Sequence, residues 1–349
     1  MRSVRRVAFL STVILGFAAA SVAQPDPGLK VIQTVKIGGE GGWDYLTVDP
    51  ASRRFYVTRG TRVMVLDADT LSPVGEIPKT EGVHGVALAP DLGRGFASNG
   101  RANSVTVFDL KTLKTLDEIK VTGENPDAIL YDGATKRVFA FNGRSQNATV
   151  IDGAAAKVVG TIALGGKPEF ATTDLDGHVY VNLEDKSQVV AIDSRTIAVE
   201  KTSPLAPCEE PSGMAIDRKH KRLFIGCGNK LMAVVDATSG RVVATVPIGE
   251  GVDANGFDPG SALAYSSNGD GTLTVVHQDT PDTYTVVANV PTKARARTMA
   301  VDEKTHRVFL ATAEFGPAPS PTADQPRPRP PMVPDTFTIL VVGRAADAK

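Results

Sequence analysis

The run Trp43-Asp44-Tyr45-Leu46-Thr47-Val48-Asp49 turns at 50–53, continues as Phe55-Tyr56-Val57-Thr58 and resumes at Val63-Met64-Val65-Leu66-Asp67, and the same phrase returns six more times along the chain. An aromatic marks the second segment of each copy, at Tyr56, Phe96, Phe139, Tyr180, Phe224, Tyr265 and Phe309, with spacings of 40, 43, 41, 44, 41 and 44 residues. An Asp closes the third segment at Asp67, Asp109, Asp152, Asp193 and Asp236, and His277 holds that place in the sixth copy. The segments are short, rich in Val, Ile, Thr and aromatics, and bounded by Gly, Asp, Asn and Pro, with no long helical period. Each copy is therefore a set of four antiparallel strands. One such sheet has two apolar faces and cannot bury both alone, so neighbouring sheets must stack around an axis. The expectation is an all-β, seven-bladed β-propeller with four-stranded antiparallel blades.

The blades are expected over about 43–82, 83–124, 125–167, 168–210, 211–251, 252–294 and 295–343, in one domain spanning 24–349. The last copy stops after Thr336-Phe337-Thr338-Ile339-Leu340-Val341-Val342, one strand short. The stretch 29–41 ahead of the first copy begins with the pattern of a fourth strand, Leu29-Lys30-Val31-Ile32-Gln33-Thr34-Val35-Lys36-Ile37. It is expected to pair into the last blade and close the ring, which removes an exposed edge. The recurrent Asp is assigned to structure, its carboxylate accepting hydrogen bonds from backbone N–H groups two residues on.

Residues 1–23 stand outside this rhythm. Arg2, Arg5 and Arg6 precede an uncharged apolar run over 7–20, with the small residues Ser21 and Ala23 following. That is the pattern of a cleaved secretory signal, and the run is shorter than the roughly 20 residues of a membrane span. The mature protein is expected in the periplasm or secreted, as a monomer without a transmembrane anchor. Losing those three arginines from 38 basic residues set against 39 acidic ones leaves it mildly acidic. The two cysteines, Cys208 before the fifth first strand and Cys227 at the end of the second, are brought to one side of one blade by antiparallel pairing. A disulfide there fits an exported protein and would contribute about 3 kcal/mol.

The phrase Phe55-Tyr56-Val57-Thr58-Arg59, the Asp67 turn, the glycine-rich Ile248-Gly249-Glu250-Gly251 and the stretch Asn268-Gly269-Asp270-Gly271-Thr272-Leu273-Thr274-Val275 resemble the YVTN β-propeller repeat family, the YncE-like group, over about 29–343. The resemblance implies the propeller fold. It implies no reaction, because that superfamily spans exported proteins of unknown role, sugar lactonases and parts of redox enzymes. The tryptophan–aspartate repeat signature is absent.

In a propeller the first strands line the central channel, and the loops leading into them gather at one mouth. Those positions are Trp43 and Asp44, His84, Asp127, Glu169 with Phe170, Ser212, Asp253 with Asn255, and Arg297. Four carboxylates, an imidazole and a guanidinium could hold a divalent cation or a polar ligand there; the plainer alternative is a solvated rim. A haem is excluded by the absence of C-x-x-C-H, and a single Trp argues against a quinone site. His178, His220 and His306 fall in polar turns and are expected to be solvated, while His277 is structural.

Between Phe315 and Asp335 lie Pro317, Pro319, Pro321, Pro326, Pro328, Pro330, Pro331 and Pro334, with Arg327 and Arg329 among them. This Pro-rich loop, 316–335, lacks strand donors and is expected to emerge at the mouth, as a docking arm or an uncommitted loop. Lys293, Arg295 and Arg297 form a small basic cluster, but the acidic balance argues against nucleic acid. The functional expectation is a non-catalytic module binding a small molecule or protein at the channel mouth. The alternative is a lactonase-like, metal-assisted hydrolase at the same funnel.

Overall fold

The computed structural model describes residues 27–322, 328 and 330–347, so the signal-like segment and residues 323–327, 329, 348 and 349 lie outside it. Apart from three short 3₁₀ turns, the regular elements are antiparallel β-strands. The strands that carry the argument are β1 (Leu29–Lys36), β2 (Leu46–Asp49), β3 (Arg54–Thr58), β4 (Gly60–Asp67), β5 (Pro73–Ala89) and β6 (Arg94–Asn99). With them stand β9 (Pro126–Asp132), β13 (Pro168–Thr173), β14 (His178–Leu183), β17 (Pro211–Asp217), β18 (Arg222–Cys227), β21 (Val252–Asp258), β25 (Thr298–Asp302), β26 (Arg307–Thr312) and β27 (Thr338–Arg344).

The strands fall into five four-stranded sheets and one seven-stranded sheet, rather than seven separate ones. The first two repeat units share β5, whose first part pairs with β4 (Val63↔Ile77) and whose last part pairs with β6 (Val83↔Asn99 to Ala89↔Arg94). The ladder continues because Gly60 pairs with Val83 across a link that turns at Lys79 and Gly82, both with φ above zero.

β1 pairs antiparallel with β27, from Leu29↔Arg344 to Lys36↔Thr338, as the outermost strand of the sheet holding β25 and β26. The first and last units also meet in one apolar cluster, where Leu46, Phe55 and Val57 pack on Phe309, Phe337 and Ile339. The rings of Phe55 and Phe309 stand 4.9 Å apart. All seven recurrent aromatics are buried, which explains their period: each packs in the core of its own repeat unit and against the next.

The recurrent Asp does what its position requires. Asp67 Oδ1 accepts from the backbone N–H groups of Asp69 (3.0 Å) and Thr70 (2.8 Å), and Asp109 Oδ1 accepts from Lys111 (3.0 Å) and Thr112 (2.6 Å). The three histidines expected to be solvated are partly exposed, and each also lies beside a carboxylate: His178 on Asp174 (2.8 Å), His220 on Asp217 (2.6 Å) and His306 on Asp258 (2.8 Å). Asp217 and Asp258 are buried, so the imidazoles satisfy acceptors that water cannot reach. Cys208 and Cys227 form a disulfide with Cα atoms 5.4 Å apart. No helix among the described residues is long and apolar enough to cross a membrane.

Candidate functional site

The side chains expected at the mouth come from separate repeat units. His84 lies on β5, Asp127 on β9, Glu169 on β13, Ser212 on β17 and Asp253 on β21, while Asp44 and Arg297 precede β2 and β25. All seven line one cavity of about 300 Å³. Lys167, Glu184, Tyr45, Phe170 and Thr298 line it too.

Local structure places each group. Asp44 is set by a glycine-rich approach in which the buried Arg59 guanidinium donates to the carbonyls of Gly38, Gly39, Glu40 and Gly41, at 2.8 to 3.1 Å. Gly41 has φ +98°, and a Cβ there would lie 2.7 Å from the Arg59 carbonyl oxygen, so the approach needs glycine. The Asp44 N–H then donates to Thr58 Oγ1 at 3.0 Å. Ser98 donates to the Asp127 carbonyl at 2.6 Å and accepts from Gly85 N–H at 3.0 Å, tying two neighbouring units together beneath the rim.

Charge dominates the cavity. His84 Nδ1 sits 2.7 Å from Asp44 Oδ2 and 3.5 Å from Asp127 Oδ1. Lys167 Nζ bridges Glu169 and Glu184. Arg297 Nε lies 3.4 Å from Asp253 Oδ2. Five carboxylates thus face three basic groups even when His84 is protonated. Burial opposes the imidazolium, but the Asp44 hydrogen bond and the charges of Asp127, Asp44 and Glu169 outweigh it and hold His84 at about 8. Burial is the first cause raising Asp253, against the nearby Arg297, and it settles at about 6. Asp127 and Glu169 are also pushed up, first by burial, then by other carboxylates, with His84 and Lys167 opposing. These acids sit in too little water and too little positive charge to ionise freely.

Beneath them the rings of Tyr45 and Phe170 pack 4.7 Å apart. Both also line a smaller, deeper space of about 150 Å³ walled by Leu46, Val86, Ala128 and Ile129, so the polar mouth gives way to an apolar channel.

Two expected residues stand elsewhere. Trp43 faces an adjoining groove, its ring 5.0 Å from Phe337 and 6.2 Å from Phe315. Consecutive side chains point apart here, Trp43 joining the apolar cluster and Asp44 the funnel. Asn255 is buried and does not line the cavity; its amide has no hydrogen-bond partner among the described residues. A bulge between Val252 and Ala254 breaks the alternation, and Asn255 points toward Gly226 of the neighbouring sheet, where a Cβ would meet its Oδ1 at 2.3 Å.

Lys167 and Glu184 were not foreseen. Glu184 follows β14, which returns to the rim that β13 leaves, so antiparallel pairing alone placed it beside Glu169. Lys167 directly precedes β13, one residue ahead of Pro168, a position visible in the repeat phase.

The described part of the Pro-rich loop emerges beside the mouth. Phe315 and Met332 form a β-bridge, with Gly316 N–H donating to Pro331 O at 2.9 Å. The basic cluster is partly engaged within the chain: Arg295 lies over the Phe315 ring at 4.4 Å, and Arg297 faces Asp253. Arg327 and Arg329 fall outside the described residues.

No known family model and no curated protein sequence matches this chain, so the resemblance to YVTN-type repeats is not confirmed. Solved structures are similar. One, described as "Structure of U3-55K", has a TM-score of 0.70 at 9% identity and covers 90% of this chain and 99% of its own. Another, "Crystal structure of RRP9 WD40 repeats", has a TM-score of 0.71 at 9% identity and covers 92% of this chain and 99% of its own. Such low identity establishes the fold alone: the protein is a β-propeller, similar to WD40 structures without their sequence signature.

Proposed function

We propose that this is an exported, seven-bladed propeller acting as a non-catalytic binding module that takes a cationic ligand or partner group at its channel mouth. The blade count follows from treating the seven-stranded sheet as two units joined through β5. Export rests on the segment 1–23 and is supported by the Cys208–Cys227 disulfide, which suits an oxidising compartment.

The observation that carries the binding reading is the convergence of Asp44, Asp127, Glu169, Glu184 and Asp253 on one cavity of about 300 Å³. A solvated rim would leave such groups apart and hydrated. Here burial holds three of them above their ordinary range, and a bound cation would relieve that penalty. Calorimetric titration of the mature protein with methylammonium and with Ca²⁺, compared with the triple variant Asp127→Asn, Glu169→Gln, Asp253→Asn, tests this. Saturable binding lost in the variant supports it, and heats indistinguishable from buffer for both cations refute it.

A second reading, metal-assisted hydrolysis, is favoured by one feature: ligand atoms of Asp44, His84 and Asp127 all lie within 4.8 Å of one another. An imidazole with two carboxylates suits Zn²⁺, which would polarise a carbonyl and activate water. Lactone hydrolysis with Zn²⁺ or Ca²⁺ that disappears with chelator would establish it. A rate equal to buffer would remove it.

A further inference from the structure

The funnel does not end at its carboxylates. Asp44, Asp253, Arg297 and Thr298 also line an adjoining groove of about 510 Å³, whose other wall carries Trp43, Phe315 and Met332. One side of the shared border is acidic and the other is aromatic and aliphatic. Thr298 stands on that border, only 6% exposed, and its hydroxyl has no hydrogen-bond partner among the described residues. A buried hydroxyl left unsatisfied costs stability, so its position between two open spaces points to a ligand group that completes it. The two basic side chains of the groove already have partners: Arg297 faces Asp253 at 3.4 Å, and Arg295 lies on Phe315. The carboxylates beyond them remain in excess.

We propose that the mouth takes an amphipathic organic cation: an ammonium head among the funnel carboxylates, within reach of the Thr298 hydroxyl, and a compact aromatic or branched apolar body against Trp43, Phe315 and Met332. This rests on the cation-binding reading and adds the ligand's second half. A bare metal ion or a small hydrophilic amine would leave the groove unused. A neutral apolar molecule would leave the carboxylates uncompensated. Both spaces are within the usual size for a small-molecule site.

Trp43 is the single tryptophan of the chain, so its fluorescence reports the groove directly. The mature protein is titrated with 2-phenylethylammonium, methylammonium and 2-phenylethanol, following Trp43 emission and, for all three, calorimetry. The expected result is saturable change in Trp43 emission with 2-phenylethylammonium, at least about tenfold tighter binding than methylammonium, and no comparable binding of the alcohol. Phe315→Ala should bring the two ammonium affinities toward each other, and Thr298→Val, which keeps the side-chain shape, should weaken 2-phenylethylammonium by about threefold or more. Equal affinities of the two ammonium ions in the unaltered protein overturn the groove and leave the cation-binding reading standing. An alcohol that binds as tightly as the ammonium overturns the cationic head. Absence of heat with every cation, Ca²⁺ included, overturns both readings together.

Discussion

Asp67 and Asp253 carry the same side chain in two settings, and the settings drive their acidity in opposite directions. Asp67, at the recurrent turn, is held below the ordinary range, first by the N–H of Thr70, with the Thr70 hydroxyl and the N–H of Asp69 adding to it. Asp109 and Asp193 are lowered in the same way, first by the N–H groups of Thr112 and Thr196. Asp253, at the mouth, has a weakly placed Ser212 hydroxyl and one arginine against its burial, and is raised to about 6. The turn aspartates are complete within their own repeat. The mouth acids are left incomplete by every repeat, and only the ring brings their deficits together. A carboxylate whose needs are met locally is structural; one that remains in want of charge after folding is available to a ligand.

The largest test removes the ring that gathers the mouth acids. Deleting residues 24–37 takes away β1, and a cooperative loss of the whole fold is expected by circular dichroism; an unchanged Tm would mean that the strand closes nothing. Next, the triple change Asp127→Asn, Glu169→Gln, Asp253→Asn should weaken cation binding by about a hundredfold or more, as three charge-assisted contacts go. Replacing Asp67 and Asp193 by Asn should leave that affinity within about twofold, since screening leaves distant exposed charges little influence. Equal losses from the two sets would dissolve the distinction.

Stability should then separate the sets by the sign of its pH dependence. Asp67→Ala should cost about 0.5 kcal/mol in denaturant unfolding near neutral pH, solvent screening having taken part of the effect, and the difference should fade as pH drops below the ordinary value of 3.8, because a lowered carboxyl contributes only while ionised. Glu169→Gln should do the reverse. A raised carboxyl contributes below its unfolded value and loses that contribution as pH climbs, so the variant should gain roughly 1 kcal/mol over the parent at pH 8 and little at pH 4. The smallest effect is on affinity. Between about 6, where Asp253 titrates, and about 8, where His84 does, cation binding should strengthen with pH, because each proton lost makes the mouth more negative. Asp253, Asp127, Glu169 and His84, the groups whose acidity is shifted upward, set this slope, and Asp44, Glu184, Lys167 and Arg297 face them in the same cavity. Binding that weakened over that interval would contradict the charge balance.

Much of this was readable in the chain because the repeat has a phase. Once Tyr56, Phe96 and their counterparts mark the second strand of each unit, the position leading into each first strand follows, and Asp44, His84, Asp127, Glu169, Ser212, Asp253 and Arg297 share one cavity accordingly. The antiparallel logic that set Cys227 beside Cys208 also set Glu184 beside Glu169, but Glu184 lies beyond a second strand rather than before a first. Asn255 escaped that logic because one bulged residue in β21 reverses which face follows, and a bulge has no signature in the residue pattern there. The joined first and second units escaped it too, since the link at Lys79 and Gly82 reads in the chain only as a turn, and the pairing of Gly60 with Val83 across it has no mark in the residue pattern. Asp253 and Asp67 look alike in the chain; their opposite acidities come from burial and neighbours that only the folded ring assembles.

The seam between β1 and β27 also sets a schedule. Leu29 becomes free to fold well before Arg344 does, whether the chain emerges from a ribosome or across a membrane. Through that interval the opening strand has no partner, the Arg59 clamp has no Phe337 to rest on, and the approach to Asp44 and Trp43 is unsupported on one side. Any ligand that needs the assembled mouth therefore meets it only in molecules whose last strand has come home, so binding doubles as a certificate that the polypeptide was delivered whole.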